Sequence, residues 1–232
     1  MEGDEMDAIL EFKEVSYWYQ SGGRKIPILE SASCAFEKGK LHTIVGPSGC
    51  GKTTTLTLAG ALEEPKGGSI EYESQDIRAI GYHRYRGSKV GIVFQSYNLL
   101  SYLTPYQNVM AAMEISSNAI KDKKGRAVAL LGRMGLAEDQ MHRGVNKLSG
   151  GEQQRVAIAR AISTDSQIVL ADEPTGNLDI ETAREIIGVF GELAREDGKC
   201  VIVVTHSQEF AEAADAVIRL EGRRLVPETV IC

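Results

Sequence analysis

The sequence predicts an α/β fold: a mostly parallel sheet, an N-terminal antiparallel β portion, and a helical lobe inserted into the core. Three observations predict it. The apolar run Leu41–Val45 empties into a glycine-rich turn, and a helical pattern follows at once. From Ser96 to about Ile162 the patterns are helical throughout. From Gln167 onward, strand and helix patterns alternate. Such alternation implies parallel strands covered by helices on both faces.

Each element has its own signal. Ile9–Ser16 and Ile28–Phe36 read as strands, broken by Gly22-Gly23 and by Lys38-Gly39. Leu41–Val45 is a buried strand, and a helix runs from Lys52 to Ala61. Gly67-Gly68 precedes a short strand pair, and Val90–Phe94 is a further buried strand. Gln107–Ile115, Lys123–Met134 and Gly151–Ile162 carry helical patterns. Then come Gln167–Ala171 as strand, Ile180–Arg195 as helix, Cys200–Thr205 as strand and Ser207–Ala214 as helix. Ala216–Leu220 reads as the last strand. The expected division is a single domain over residues 1–232. Core and β portion occupy about 8–95 and 163–226, and the helical lobe about 96–162.

Composition narrows the function classes. With 232 residues, 43% hydrophobic and 25% charged, the chain can bury a sizeable core. Its net charge of −6 argues against a general nucleic-acid binder. The basic cluster Lys121, Lys123, Lys124 and Arg126 reads as a solvated helix face. Cys34, Cys50, Cys200 and Cys232 form no C-x-x-C pair, which fits reduced thiols better than a disulfide framework. The acidic start Met1–Asp7 is unlike a signal peptide. No apolar run approaches the roughly 18–20 residues that span a bilayer.

Three motifs carry chemistry. Gly46-x-x-x-x-Gly51-Lys52-Thr53 matches the P-loop pattern and makes the core a P-loop NTPase core. Its loop, Gly46, Pro47, Ser48, Gly49, Cys50 and Gly51, can turn backbone N–H groups toward phosphate oxygens. The helix that follows adds its positive dipole end, Lys52 a full charge, and Thr53 a hydroxyl for Mg²⁺. Thr54 is the next residue of the ATP-binding set. Second, the strand Ile168–Ala171 ends in Asp172-Glu173. Asp172 suits Mg²⁺, and Glu173 suits the general base that polarises an attacking water. Alone, this pair is as readily a solvated strand end; beside a P-loop it is not. Third, Leu148-Ser149-Gly150-Gly151-Glu152 is another glycine-rich turn opening a helix. Two anion-directed helix N-termini can grip one γ-phosphate from two sides. The simplest arrangement is two copies head to tail, each lending Ser149-Gly150-Gly151 to the other's nucleotide.

The order P-loop, LSGGE, Asp-Glu and strand-end His closely resembles the ABC ATPase family, from about Ile9 to Leu225. The resemblance implies further roles. Tyr19 is similar to the aromatic that stacks on adenine, with Tyr17 as its competitor. Gln95 resembles the Q-loop glutamine that contacts Mg²⁺ and the attacking water, and His206 resembles the switch histidine. Gly176-Asn177-Leu178-Asp179 resembles the D-loop that contacts the partner subunit. The runs Phe94–Leu100, Thr104–Val109 and Leu170–Asp179 are similar to the lipoprotein-releasing, macrolide-export and cell-division ATPases of bacteria.

What this implies is an ATP- and Mg²⁺-dependent ATPase that pairs with itself. It would drive a separate transmembrane permease from the cytoplasmic face of the inner membrane, in export or extraction. Two alternatives remain open here: force transmission to an extracytoplasmic hydrolase, and a soluble ATPase of iron–sulfur assembly. Cys50 stands where Ser is common, Thr53 where Ser is commoner, and Ser207 where Asp is more frequent. A thiol at a helix N-terminus raises the expectation of peroxide-sensitive activity through Cys50.

Overall fold

A computed structural model describes residues 8–228. The acidic start Met1–Asp7 and Cys232 lie outside the described residues. The elements in chain order are β1 (Ala8–Ser21), β2 (Arg24–Glu37), β3 (Leu41–Val45), α1 (Lys52–Ala59), β4 (Gly67–Tyr72) and β5 (Gln75–Asp76). Then come α2 (Ile77–Ile80), α3 (Tyr82–Ser88), β6 (Val90–Val93), α4 (Pro105–Ile115), α5 (Lys123–Arg133), α6 (Glu138–His142) and α7 (Gly150–Ile162). The chain closes with β7 (Ile168–Asp172), α8 (Ile180–Arg195), β8 (Cys200–Val204), α9 (Gln208–Ala213), β9 (Ala216–Glu221) and β10 (Arg224–Glu228).

Two sheets result. One is antiparallel, in the order β2-β1-β4-β5. The other runs β10-β9-β3-β8-β7-β6 and is parallel from β9 to β6, with β10 antiparallel at its edge. The fold is therefore α/β, with mixed sheets. Its central strands are buried on both faces, which is why they read as unbroken apolar runs. Along β8, Val201 and Val203 face a core shared with α7, α8 and α9. Cys200, Ile202 and Val204 face the opposite core, shared with α1, α3 and the antiparallel sheet.

Side-chain caps open α4, α5 and α7, three of the helices between β6 and β7. Thr104 and Gln107 close a capping box at α4, with Pro105 at the first helical position. Asp122 caps α5. Arg126 departs from the expected solvated face: it donates to the carbonyls of Ser163 and Ile162, at the C-terminal end of α7. Three further differences stand out. The first two strands extend to a tight hairpin at Gly22-Gly23, pairing Ser21 with Arg24. The segment before β6 contains α2 and α3, which the periodicity does not reveal. Ala216–Glu221 is not the last strand, because β10 follows it after Gly222.

Candidate nucleotide-binding and hydrolysis site

The C-terminal ends of β3, β7 and β8 open into one cleft of about 780 Å³. In a parallel sheet, this is where helix N-termini and strand-end side chains converge. Ser48, Gly49 and Gly51 of the loop Gly46–Gly51 line its floor, whereas Gly46, Pro47 and Cys50 do not reach it. Gly51 adopts φ +114°, and a Cβ there would lie 2.5 Å from Ile28 Cγ2, so only glycine fits. Lys52 opens α1 and is buried. Its Nζ donates to the carbonyls of Gly46 (2.8 Å) and Pro47 (3.1 Å), so the ammonium is tethered inside its own loop.

Thr53 Oγ1 donates to Asp172 Oδ1 at 3.3 Å, joining the P-loop helix to the end of β7. Burial pushes the Asp172 pKa up, and the negative charge of Glu173 adds to this; the Thr53 hydrogen bond and the Lys52 charge oppose it. Glu173 takes a left-handed backbone, φ +43°, at the strand end. Its Oε2 accepts from Thr205 Oγ1 at 2.8 Å, and its Oε1 lies 2.7 Å from His206 Nδ1. The His206 side chain is 76% exposed and the Glu173 side chain 16%. The carboxylate is thus fixed from behind, while the imidazole projects into the open cleft.

Tyr17 and Tyr19 separate cleanly, for only Tyr19 lines the cleft. Tyr17 is 3% exposed and donates to Glu63 Oε2 at 2.9 Å. Tyr19 is 44% exposed, and its hydroxyl lies 3.3 Å from Thr54 Oγ1. Gln95 faces the same cleft, and Asn177 Nδ2 donates to its carbonyl at 3.4 Å.

The cleft brings together Tyr19, Ser48, Gly49, Gly51, Lys52, Thr53, Thr54, Gln95, Asp172, Glu173 and His206. Cys50 does not line it. Its side chain turns toward Leu220 and borders a separate hollow with Pro47 and Arg219. Leu148–Glu152 do not line it either. Ser149 instead N-caps α7 in a reciprocal box with Glu152: Ser149 Oγ accepts from the Glu152 N–H (3.3 Å), and Glu152 Oε2 accepts from the Ser149 N–H (2.7 Å). Asp179 N-caps α8, accepting from the N–H and hydroxyl of Thr182, which holds its pKa below the ordinary value. Two residues of the site escaped the sequence reading. Ile28 lines the cleft and follows from pairing β2 beside β1; Thr205 lies behind Glu173, next to His206 past the end of β8.

Residues 29–176 match the family model described as ABC transporter. The chain belongs to the ABC transporter family. The ABC transporter ATP-binding protein YclH of Bacillus subtilis (strain 168) is 46% identical over 224 residues, covering 96% of this chain and 98% of that protein. The lipoprotein-releasing system ATP-binding protein LolD 1 of Chlorobium luteolum is 38% identical over 229 residues, covering 95% of this chain and 97% of that protein. A dimeric structure of the ATP-binding cassette MJ0796, in a post-hydrolysis state bound to ADP and Pi, aligns with TM-score 0.86 at 33% identity. The alignment covers 96% of this chain and 99% of that one. This chain is an ATP-binding, ATP-hydrolysing cassette of the family. Among the described residues, no helix is long and apolar enough to cross a membrane.

Proposed function

We propose that this ABC cassette works as a head-to-tail homodimer that drives a separate membrane partner, in export or extraction. The observation that carries the pairing is the position of the Ser149-Gly150-Gly151 turn. It caps α7 and presents glycine N–H groups, yet it lies off the cleft of its own chain. A second copy supplies the nucleotide it would grip.

Within each cleft, Tyr19 stacks on the base. The Ser48–Gly51 backbone and Lys52 hold the phosphates, and release of Lys52 from Gly46 and Pro47 frees its charge for them. Thr53, Asp172 and Gln95 offer the hard oxygen donors that suit Mg²⁺, which neutralises phosphate charge when bound. Glu173 orients and deprotonates the attacking water, and His206 carries the γ-phosphate contact. Closure around two nucleotides and opening after hydrolysis form the two-state element of the motor.

Beside Gln95 runs a groove of about 560 Å³, floored by Ile92, Phe94 and Leu100 and walled by Ala112 and Ile115. Ile115 is 83% exposed. This groove seats cytoplasmic helices of the membrane partner, which keeps the cassette peripheral on the cytoplasmic face. Similarity to LolD 1 supports the export or extraction class.

Mixed dimers test the pairing. Lys52→Ala and Ser149→Arg each remove activity alone. In a head-to-tail pair, mixing them leaves one site with an intact Lys52 from one copy and an intact Ser149 from the other. Recovery of ATPase activity on mixing supports the reading; an inactive mixture rejects it. Copurification of a membrane protein with the tagged cassette tests the partner.

A further inference from the structure

The loop after β6 has an unusual shape. Tyr97 and Asn98 both adopt left-handed backbone, φ +59° and +48°, which side chains with a Cβ disfavour. Within the loop, the Tyr97 N–H bonds Phe94 O at 3.0 Å and the Asn98 N–H bonds Ser96 O at 2.6 Å. The external hold comes from α7. Arg160 Nη2 donates to Tyr97 O at 2.9 Å, and its Nη1 donates to Asn98 O. Arg160 is half-buried, and its planar fork is spent on these carbonyls.

The same Tyr97 reaches the opposite end of α7. A Cβ at Gly150 would sit 3.0 Å from the Tyr97 hydroxyl, so that hydroxyl lies against the turn that opens the helix. One residue, two positions after Gln95, is thereby held through its carbonyl near the C-terminus of α7 and rests through its hydroxyl on the N-terminus. Arg160 and Asn98 also line the groove beside Gln95.

We propose that Arg160 and Tyr97 form a positioning tie that sets the Gln95 loop and the Ser149 turn relative to each other. In a head-to-tail pair, Gln95 serves the chain's own nucleotide and Ser149 serves the partner's. One tie therefore aligns parts of two sites, and occupancy of the groove is conveyed to both together. This inference rests on the pairing proposed above. Neither residue lines the nucleotide cleft, so both are positioning residues.

Arg160→Gln and Tyr97→Phe are the test variants. Misplacement by about 1 Å costs up to about a hundred-fold in rate, so kcat should fall by roughly ten- to a hundred-fold in Arg160→Gln and less in Tyr97→Phe. Binding of a fluorescent ATP analogue to the full chain should stay at the wild-type value in both. Unchanged kcat in both, or loss of nucleotide affinity in step with kcat, overturns the tie. Tyr97→Phe removes a single oxygen, so it keeps the test open if Arg160→Gln fails to fold.

Mixed dimers then ask whether the tie reaches both sites. Paired with a Lys52→Ala copy, a chain with intact Lys52 forms the single live site. Arg160→Gln should lower activity when placed in the intact-Lys52 copy and also when placed in the Lys52→Ala copy. A loss in only one placement, or in neither, overturns the proposal. Ser149→Arg is the control and should act only from the Lys52→Ala copy. If it acts elsewhere, the pairing reading has failed, and the tie stands or falls on the kcat and affinity measurements alone.

Discussion

Glu173 and His206 meet across the ends of β7 and β8, with 2.7 Å between Oε1 and Nδ1. Thr205 holds the other carboxylate oxygen at 2.8 Å. Replacing the carboxylate by an amide keeps the shape and its hydrogen-bonding reach, but removes the basic oxygen. Glu173→Gln should therefore bind ATP and accumulate as a closed dimer, while turnover drops by about 10²–10⁴. Size-exclusion chromatography with ATP and a phosphate-release assay measure the two effects. Turnover near the wild-type rate would rule out Glu173 as the general base.

Asp172 leads to a pH prediction with an unusual sign. Its pKa is raised in the folded chain, chiefly by burial. A raised carboxyl pKa means the ionised form is destabilised by folding. Without Mg²⁺, the associated stability is fully present below the ordinary aspartate range and is lost as pH rises through the raised value. Asp172→Asn should accordingly melt at a higher temperature than wild type at neutral pH in EDTA, and the difference should close on acidification. Adding Mg²⁺ with ATP should raise the wild-type melting temperature more than that of Asp172→Asn. A variant that melts below wild type in EDTA at neutral pH would contradict the burial argument.

Tyr19 and Tyr17 separate a binding role from a packing role. Base stacking on an aromatic is worth about 1–3 kcal/mol, so Tyr19→Ala should weaken ATP binding by about five-fold to a hundred-fold or more. Tyr17→Phe removes only the buried hydrogen bond to Glu63. It should cost about 1 kcal/mol of stability and leave ATP affinity alone. Equilibrium nucleotide titration and thermal melts check both, and a reversal of the two effects would exchange the roles.

How much of this was legible in the residues depended on where each signal lay. β3, β7 and β8 announced themselves because burial on both faces demands unbroken apolar runs. The P-loop and Asp172-Glu173 are legible because each sits at such a strand end, whereas His206, past the end of β8, stands out only through the family resemblance. β10 was not legible: it is an edge strand, largely exposed, and it carries Pro227, which an edge tolerates and a central strand does not. The tip of the β1–β2 hairpin was hidden for a related reason. Tyr19–Ser21 and Arg24–Lys25 are exposed and show no apolar alternation, so only pairing across Gly22-Gly23 makes them strand. Arg160 carries no signal in the sequence. Its role depends on backbone carbonyls more than sixty positions earlier, as Tyr97 and Asn98 lie 63 and 62 residues away. No local pattern encodes such a contact.

α7 and α8 fit closely at Gly151 and Thr182. A Cβ at Gly151 would lie 2.4 Å from Thr182 Cγ2, an overlap that only displacement can relieve. Thr182 cannot move freely, because its N–H and its hydroxyl both bond the Asp179 carboxylate, at 3.0 and 2.7 Å. Gly151→Ala should therefore push the Ser149 turn and α8 apart, costing about 1–3 kcal/mol by overpacking and lowering ATPase activity. Thr182→Ser deletes the offending methyl and keeps the hydroxyl for Asp179. The double variant Gly151→Ala with Thr182→Ser should recover most of the lost melting temperature and activity. Recovery of stability without activity would assign the loss to the N–H groups of the turn rather than to packing. Failure to recover either would show that the clash with Thr182 is not what excludes a side chain at position 151.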